Sequence, residues 1–429
     1  MIRQYNLWVG TVNWREILTA LGRWFWPGQI HDGRFVGVFE REFAALLGVP
    51  RAYSFATGRM ALFAILRAIQ EQGRDEVILP AYTCVVVPAA VLYAGYSPVY
   101  VDIDGKTLQM NVEQVRSKMT PRTRAIIAPH NFGLPCDIER LREIAVASNV
   151  VLIEDCAHSL GSRLKARHLG TFGDFAFLST DTTKNFCTGF GGVAVLNSVR
   201  FRDRLDQIYQ DTGFLSSLQI LRILVYVFLL NLLSHPLLYR IGRYVMAAYR
   251  RSGLAFVFPG SDRPQLPQTY PYPARLSNLL CWLGVKQLAK FESVVVHRRR
   301  LYRELSDALR TDFMLQEAPS EADPAPLRVS FLVEQRAAFQ SLLDCFVEVG
   351  TWFDTVFQNY RGDPRLFGYE PGQCPVAESV AQRIVNLPTS PRTDPRLANM
   401  LRDRLRKESS LVRFKSKNIH LPVAVVRRP

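Results

Sequence analysis

The 429-residue chain has few cysteines, and none of them forms a recognisable pair. The seven cysteines are scattered, no two have the spacing of a metal-binding motif, and their number is odd. A reducing cytoplasm fits this pattern better than a disulfide framework, and we predict no metal site. The N-terminal stretch also lacks the continuous apolar core of a signal peptide, so we expect a cytoplasmic protein.

The chain also lacks a basic motif interleaved with aromatic residues. Its formal charge is +15, but the arginines are spread along the chain rather than gathered in one tract. We therefore predict no nucleic-acid partner. The positive charge therefore favours an anionic substrate or an anionic membrane surface as the partner.

What the chain does have is a regular alternation of apolar strands and helices between residues 77 and 197. Buried strands that alternate with helices predict a mostly parallel α/β sheet. Ligands of such sheets bind at the carboxyl ends of the strands. Four polar residues follow such ends, namely Asp155, His158, Ser179 and Lys184.

The second half of the chain has a different character. Residues 1–300 are predicted to form a large domain that includes an apolar helical insert at about 201–265. Residues 301–429 mix short strands and helices, which predicts a smaller C-terminal α/β domain. Residues 276–309 have the apolar periodicity of one long helix.

The segment "STDTTKNFCTGFGG" places Lys184 between small hydroxyl residues and a glycine-rich turn. Such a lysine serves either as a phosphate clamp or as an amine that bonds to a carbonyl. A pyridoxal 5′-phosphate site needs the second kind, together with a carboxylate for the pyridine nitrogen. Asp155 ends the buried strand "VVLIED", where a carboxylate requires a cationic partner.

Such a cofactor also needs groups that bind its phosphate. Ser179 lies five residues before Lys184 and offers a hydroxyl. Thr57, Gly58 and Arg59 open an apolar helix, whose free amides favour an anion.

Each of these residues has an ordinary alternative role. Asp155 alone suits a helix cap, and His158 alone suits a hydrogen-bonded core histidine. Arg59 alone suits a solvated surface position. The combination, in this order on this sheet pattern, favours the cofactor site.

These segments resemble the DegT-type sugar aminotransferases, which are pyridoxal-phosphate enzymes. The strongest similarity lies in "VILPAYTCVVVPAAVLYAGYSPVYVDID", "IEDCAHSLGS", the lysine segment, "ARLSNLLCWLGVKQLAKFE" and "CPVAESVAQRIVNLPTSPR". The resemblance implies the aspartate-aminotransferase fold (fold type I) and a homodimer.

The resemblance also implies roles for individual residues. Lys184 would bond to the cofactor and shuttle a proton, and Asp155 would pair with the pyridine nitrogen. His158 would lie near the cofactor ring, while Ser179 and the Gly58–Arg59 turn would bind phosphate.

Three positions depart from the family pattern. Cys84 stands where an aromatic residue usually stacks on the ring, so that Tyr82 or His158 would take its place. Pro273 stands where many members supply an asparagine across the dimer. Arg59 replaces a usual threonine, and its guanidinium could supply phosphate charge.

The function implied is transfer of an amino group from an amino acid, such as glutamate, to a keto-sugar or related ketone. Two alternatives stay open. One is an aminotransferase for a lipid-linked or amphiphilic ketone. The other is a non-catalytic protein of this fold that regulates or scaffolds a pathway.

The apolar stretch at 214–251 is predicted to form two helical arms broken at Pro236. It is too interrupted, by Arg222 and Asn231, for a simple membrane crossing. Its tyrosines and arginines suit the headgroup zone of a bilayer, so we expect peripheral contact with the cytoplasmic face of the inner membrane. The alternative is that this stretch packs on a dimer partner or another protein.

Overall fold

The computed structural model describes residues 5–7, 10–235, 237–260, 262–407 and 421–422. The strands are β1 Arg51–Phe55, β2 Glu76–Pro80, β3 Thr83–Cys84, β4 Ser97–Val101, β5 Thr123–Pro129, β6 Val151–Asp155, β7 Arg163–Leu164, β8 Arg167–His168, β9 Phe175–Ser179, β10 Gly192–Leu196, β11 Ala322–Asp323, β12 Arg328–Leu332, β13 Phe357–Gln358 and β14 Ile384–Pro388. The α-helices are α1 Trp14–Trp24, α2 Arg34–Leu47, α3 Gly58–Ala68, α4 Val86–Tyr93, α5 Val112–Ser117, α6 Ile138–Ala147, α7 Arg202–Asp211, α8 Ser217–Leu233, α9 Tyr239–Arg251, α10 Asn278–Leu288, α11 Phe291–Leu309, α12 Arg336–Leu343, α13 Pro375–Arg383 and α14 Leu397–Lys407.

A seven-stranded sheet forms the centre of the fold. Its strand order is β1-β10-β9-β6-β5-β2-β4, and β10 alone among these strands runs against the others. Strand β5 is buried along its whole length, as expected for a strand covered by helices on both faces. The predicted mostly parallel α/β sheet is confirmed.

A second hydrophobic cluster lies outside this sheet. It is built on the antiparallel pair β12 and β14, with apolar side chains from α11, α12 and α14. Helix α11 belongs to both clusters, because Val295 packs in the first and Leu305 in the second. The proposed domain boundary at 300/301 falls within this helix and stays a prediction.

The single long helix predicted for residues 276–309 is wrong. The chain forms α10 and α11, with Ala289 and Lys290 between them. The Lys290 ammonium lies 2.9 Å from a Glu16 carboxylate oxygen on α1 and 2.7 Å from the Thr11 carbonyl oxygen. Because these contacts join residues that are distant in the chain, the apolar periodicity of the segment does not reveal the break.

Helix α8 packs on its own chain. Part of its apolar surface, including Ile223, Val227 and Leu230, is buried, and the helix contacts α1 and α9. The Asn231 amide donates a 2.7 Å hydrogen bond to the Val12 carbonyl. At its other end, the Trp24 indole donates to the Ser217 carbonyl over 3.2 Å. Pro236, the predicted break, lies outside the described residues. Within the described ranges, no helix is long and apolar enough to cross a membrane.

Candidate active site

A cavity of about 840 Å³ opens at the carboxyl ends of β5, β6 and β9. Eight of the residues selected from the sequence line it: Thr57, Gly58, Arg59, Cys84, Asp155, His158, Ser179 and Lys184. The sheet topology explains this gathering, because the carboxyl ends of adjacent parallel strands meet at one edge.

Lys184 lies in the connection between β9 and the reversed strand β10. Pairing of Ser179 with Gly192 closes this connection at its base. The Lys184 ammonium nitrogen lies 5.1 Å from the centroid of the Trp352 ring, and no carboxylate of the described chain lies within 4 Å of it. Burial lowers the pKa of this amine, while the charges of Asp181, Cys84 and Asp155 act in the opposite direction. The shift favours the uncharged amine, which is the nucleophilic form.

Asp155 is the last residue of β6 and faces the same cavity. One of its carboxylate oxygens accepts a 2.9 Å hydrogen bond from the Ala157 amide. Burial raises the pKa of the carboxyl group, against the effects of that hydrogen bond and of the Lys184 and His130 charges. A cationic ligand group at this carboxylate would offset the cost of its burial.

The start of α3 offers an anion site on the cavity wall. Thr57 caps the helix, with its hydroxyl accepting a 3.3 Å hydrogen bond from the Met60 amide. In the described chain, the Gly58 and Arg59 amides and the Ser179 hydroxyl have no hydrogen-bond partner. These groups, with the nearby guanidinium of Arg59, suit a phosphate.

Two glycines bring the two phosphate-side segments together. A Cβ on Gly192 would collide with the backbone of Gly58, and a Cβ on Gly58 would lie 2.9 Å from the Leu178 carbonyl oxygen. The start of α3 therefore packs directly on the ends of β9 and β10. Together with Lys184 and Asp155, which are both partly buried at the cavity, this cradle fits pyridoxal 5′-phosphate.

His158 is buried in a column of rings beside the cavity. Its ring stacks at 6.0 Å on Phe132 and at 5.7 Å on Trp352. Its Nδ1 accepts a 3.3 Å hydrogen bond from the Phe132 amide, which indicates a neutral imidazole. Burial, with the charges of Lys184 and Arg328, holds its pKa well below the usual value. Tyr82, the other candidate for ring stacking, is fully buried against Phe353.

Cys84 lies at the cavity on β3, which pairs with β13 from the C-terminal part of the chain. Burial raises the pKa of its thiol. This thiol is therefore a small neutral wall group rather than a thiolate. Near Pro273, the Tyr272 hydroxyl donates a 3.4 Å hydrogen bond to the Arg59 carbonyl.

Sequence reasoning missed two walls of the cavity. Trp352 and Phe353 come from the C-terminal part of the chain, far from the lysine segment. Arg222, Tyr226 and Arg250 come from α8 and α9, followed by residues 253–259. Residues that meet only in the folded chain gave no local signal that could have identified them.

Comparison with known proteins agrees with this geometry. The DegT/DnrJ/EryC1/StrS aminotransferase family matches residues 15–218 and 246–404 and leaves residues 219–245 unmatched. The GDP-perosamine synthase of Escherichia coli O157:H7 is 38% identical over 172 residues, which are 40% of this chain and 47% of that protein. The UDP-N-acetyl-3-dehydro-alpha-D-glucosamine 3-aminotransferase of Acidithiobacillus ferrooxidans is 35% identical over 191 residues, or 44% and 52% of the two chains. The chain thus spans about half the length of the curated relatives it matches.

The solved structures agree at the level of the fold. The putative sugar aminotransferase Spr1654 from Streptococcus pneumoniae, in its PLP form, superposes with a TM-score of 0.71 at 17% identity, covering 95% of this chain and 98% of that one. The cofactor predicted from the sequence is confirmed at the level of the family. With the family match extending over most of the chain, the protein belongs to the DegT/DnrJ/EryC1/StrS aminotransferases, which use pyridoxal 5′-phosphate.

Proposed function

We propose that this protein transfers an amino group from an amino acid, with glutamate as the donor, to the keto group of a sugar. The observation that carries the proposal is the meeting of Lys184 and Asp155 at one cavity. An amine with a lowered pKa and a partly buried carboxylate supply the two groups that this chemistry requires. The named relatives, which act on nucleotide-linked sugars, support a sugar acceptor.

Lys184 has two tasks in this proposal. With the cofactor bound, the Lys184 amine would hold it through a covalent bond. When free of that bond, the same amine would act as the base that moves the proton of the donor carbon. Bound pyridoxal phosphate supplies an electron sink for the negative charge that develops on the donor carbon.

The surrounding residues fix the geometry. Asp155 would hold a proton at the pyridine nitrogen, because its partly buried carboxylate favours a cation beside it. Ser179 and the amides of Gly58 and Arg59 would bind the phosphate, which would hold the cofactor aldehyde beside the Lys184 amine. His158, which lines the cavity with a lowered pKa, would add no charge beside the cofactor ring.

A half-reaction tests this function. Purified protein should show a cofactor absorbance band that shifts when glutamate is added. Borohydride reduction followed by peptide mapping should place the label on Lys184, and Lys184→Ala should bind cofactor only non-covalently. A label on another lysine would contradict the assignment, and cofactor that no amino donor converts would favour the scaffold alternative.

The alternative acceptor, a lipid-linked or amphiphilic ketone, draws support from the surface around α9. Ile241, Tyr244 and Val245 are exposed on this helix, at 70%, 66% and 45%. Arg240 and Arg243 accompany them, and we call these five residues the α9 face. Exposed apolar side chains among arginines suit the headgroup zone of an anionic bilayer.

A groove beside the α9 face extends the apolar surface. Trp14 of α1 and Leu232 and Leu238 around the end of α8 line it. Phe25 and Trp26, just beyond α1, are also exposed. We propose that this surface rests on the cytoplasmic leaflet of the inner membrane.

Vesicle flotation tests the membrane proposal. Wild-type protein should float with vesicles that contain phosphatidylglycerol and stay bound in high salt. Ile241→Glu combined with Val245→Glu should stay unbound while keeping its cofactor. The matched control, Val146→Glu on the exposed side of α6, should float as wild type does. Wild-type protein that never floats would reject membrane contact and leave the aminotransferase proposal untouched.

A further inference from the structure

The groove beside the α9 face is a cavity in its own right. Its volume is about 670 Å³, within the roughly 300–1,000 Å³ that is usual for ligand pockets. The side chains of Trp14, Phe228, Leu232 and Leu238 give it an apolar wall, and Arg392 lines it as well. In the described chain, no residue lines both this cavity and the active-site cavity. We call it the α8 groove, and it is separate from the active site.

Arg392 carries a positive charge that the described chain leaves without a carboxylate partner. Its guanidinium donates hydrogen bonds to the side-chain oxygen of Asn231 over 2.8 Å, to the carbonyl oxygen of the same residue over 3.2 Å and to the Ser234 hydroxyl over 3.3 Å. These acceptors are neutral, and Asp394, the nearest acidic residue in the sequence, pairs with Arg396. Burial lowers the pKa of Arg392, and no described carboxylate acts in the opposite direction. Since three hydrogen bonds do not use all the N–H groups of a guanidinium, donors remain for an anionic ligand.

Asn231 holds this arginine in place. It is the polar residue that interrupts the apolar run of α8, and it is only 5% exposed. Its side-chain amide donates to the Val12 carbonyl over 2.7 Å, and its side-chain oxygen accepts from the Arg392 guanidinium. The interruption that argues against a simple membrane crossing thus fixes a cation at an apolar groove.

The α8 groove belongs largely to the part of the chain that the family match leaves out. Residues 219–245 are unmatched, and they supply Phe228, Leu232 and Leu238. The groove is also continuous with the α9 face, because Leu238 directly precedes α9 and Ile241 follows it by about one helical turn. Both side chains are exposed, at 41% and 70%. A bilayer that contacts the α9 face would therefore bring its lipids to the groove.

We propose that the α8 groove binds an acyl chain of an anionic phospholipid, with Arg392 contacting its phosphate. The inference rests on the membrane contact proposed above for the α9 face. An apolar wall suits the chain, because burying methylene groups removes apolar surface from water. A guanidinium suits the phosphate, because the two form charged hydrogen bonds. An apolar peptide would not use the cation and a free phosphate would not use the apolar wall, so an amphiphile with both groups fits the lining best.

A short-chain lipid that stays monomeric tests the groove without a membrane. Dihexanoylphosphatidylglycerol, below its micellar concentration, should bind the wild-type protein in a calorimetric titration. Glycerol 3-phosphate has the phosphate without the chains, and dihexanoylglycerol has the chains without the phosphate, so each should bind at least about tenfold more weakly. Glycerol 3-phosphate that binds as tightly as the lipid would overturn the proposal in favour of a simple anion site. Dihexanoylglycerol that binds as tightly would overturn the role of Arg392.

Variants locate the bound lipid. Leu232→Trp, which fills the groove from a position that is 46% exposed, should weaken binding at least about tenfold. Leu237→Trp, at a position that is 48% exposed and not part of the groove wall, is the matched control and should bind as wild type does. Arg392→Gln should weaken binding about tenfold or more, whereas Arg300→Gln, which removes the same charge from a pair with Glu304, should not weaken it. Equal binding by Leu232→Trp and wild type would overturn the proposal.

Vesicle flotation separates this inference from the membrane proposal on which it rests. Wild-type protein that floats with phosphatidylglycerol vesicles but binds no monomeric lipid would overturn the groove site and keep the α9 face. Protein that binds the monomeric lipid through the groove but never floats would instead contradict the membrane proposal. If a second copy of the chain occupies the groove, Leu232→Trp should give monomers in light scattering, and that result would also overturn the lipid assignment.

Discussion

The Arg222 guanidinium of α8 donates a 2.8 Å hydrogen bond from its Nε to the carbonyl oxygen of Leu254. The same guanidinium donates to the carbonyl oxygens of Gly253 and Ala255. A single side chain from the helix that the family match leaves out thereby holds the segment that forms one cavity wall.

Replacing Arg222 should therefore loosen this wall. Loss of hydrogen bonds from a charged but solvent-accessible donor should cost about 1–2 kcal/mol locally. We expect Arg222→Ala to exchange backbone amide hydrogens of residues 253–259 faster than wild type, as measured by mass spectrometry. Arg240→Ala, an exposed position on the same pair of helices, serves as the control. Unchanged exchange in the Arg222 variant would show that the wall is held by its aromatic contacts instead.

Asp155 should control the chemical step. Without its carboxylate, the pyridine nitrogen loses its proton and the ring accepts electrons poorly. In Asp155→Ala, single-turnover conversion of the cofactor by glutamate should slow by several orders of magnitude, while Asp155→Glu should keep part of the rate. Asp181→Asn, which removes another cavity carboxylate, should have a far smaller effect. A rate for Asp155→Ala within about tenfold of wild type, only ~1.4 kcal/mol, is incompatible with this role.

Lys184 should destabilise the cofactor-free protein in a pH-dependent way. Its folded pKa lies below the ordinary 10.5, so between the two values the unfolded chain binds more protons and stability rises with pH. Lys184→Met should therefore unfold at higher denaturant concentration than wild type at pH 7. This gain should disappear above about pH 10.5, where the amine is neutral in both states. Chemical unfolding across pH measures it, and a gain that persists at high pH would contradict the explanation.

The homodimer predicted from the family resemblance can be separated from the membrane proposal. Light scattering should give twice the 48.8 kDa chain mass for the wild-type protein. If the α9 face contacts lipid, the combined Ile241→Glu and Val245→Glu variant should remain dimeric while losing its vesicle binding. Monomers from this variant would assign the face to the subunit interface, and a fully active wild-type monomer would contradict the dimer itself.

The central sheet could be predicted because its strands are apolar runs with regular spacing. Strands β5, β6 and β9 are buried by helices, and Asp155 and Ser179 end two of them. Chain order therefore specified which polar residues would meet at the sheet edge. The anion-binding start of α3 was likewise visible, because Thr57 is a local helix cap.

The remaining walls depend on contacts between distant segments. Trp352 stacks on His158, which lies in a different part of the chain, and no local pattern encodes that contact. The sequence indicated that the apolar stretch at 214–251 contacts a membrane or a partner. It did not show that part of this stretch is buried against α1, because that contact forms only in the folded chain. The position of Arg392 at the α8 groove was hidden in the same way, since its hydrogen bonds to Asn231 join distant parts of the chain.

The interlocked glycines Gly58 and Gly192 have a consequence for how ligands enter. Because these two backbones touch without side chains between them, the phosphate side of the site is tightly packed, and we expect it to be rigid. The motion that admits or releases a bulky ligand must then occur in the other cavity walls, which are residues 253–259 and the pair Trp352 and Phe353. We therefore expect the mobility of those walls, rather than that of the phosphate side, to limit the turnover rate.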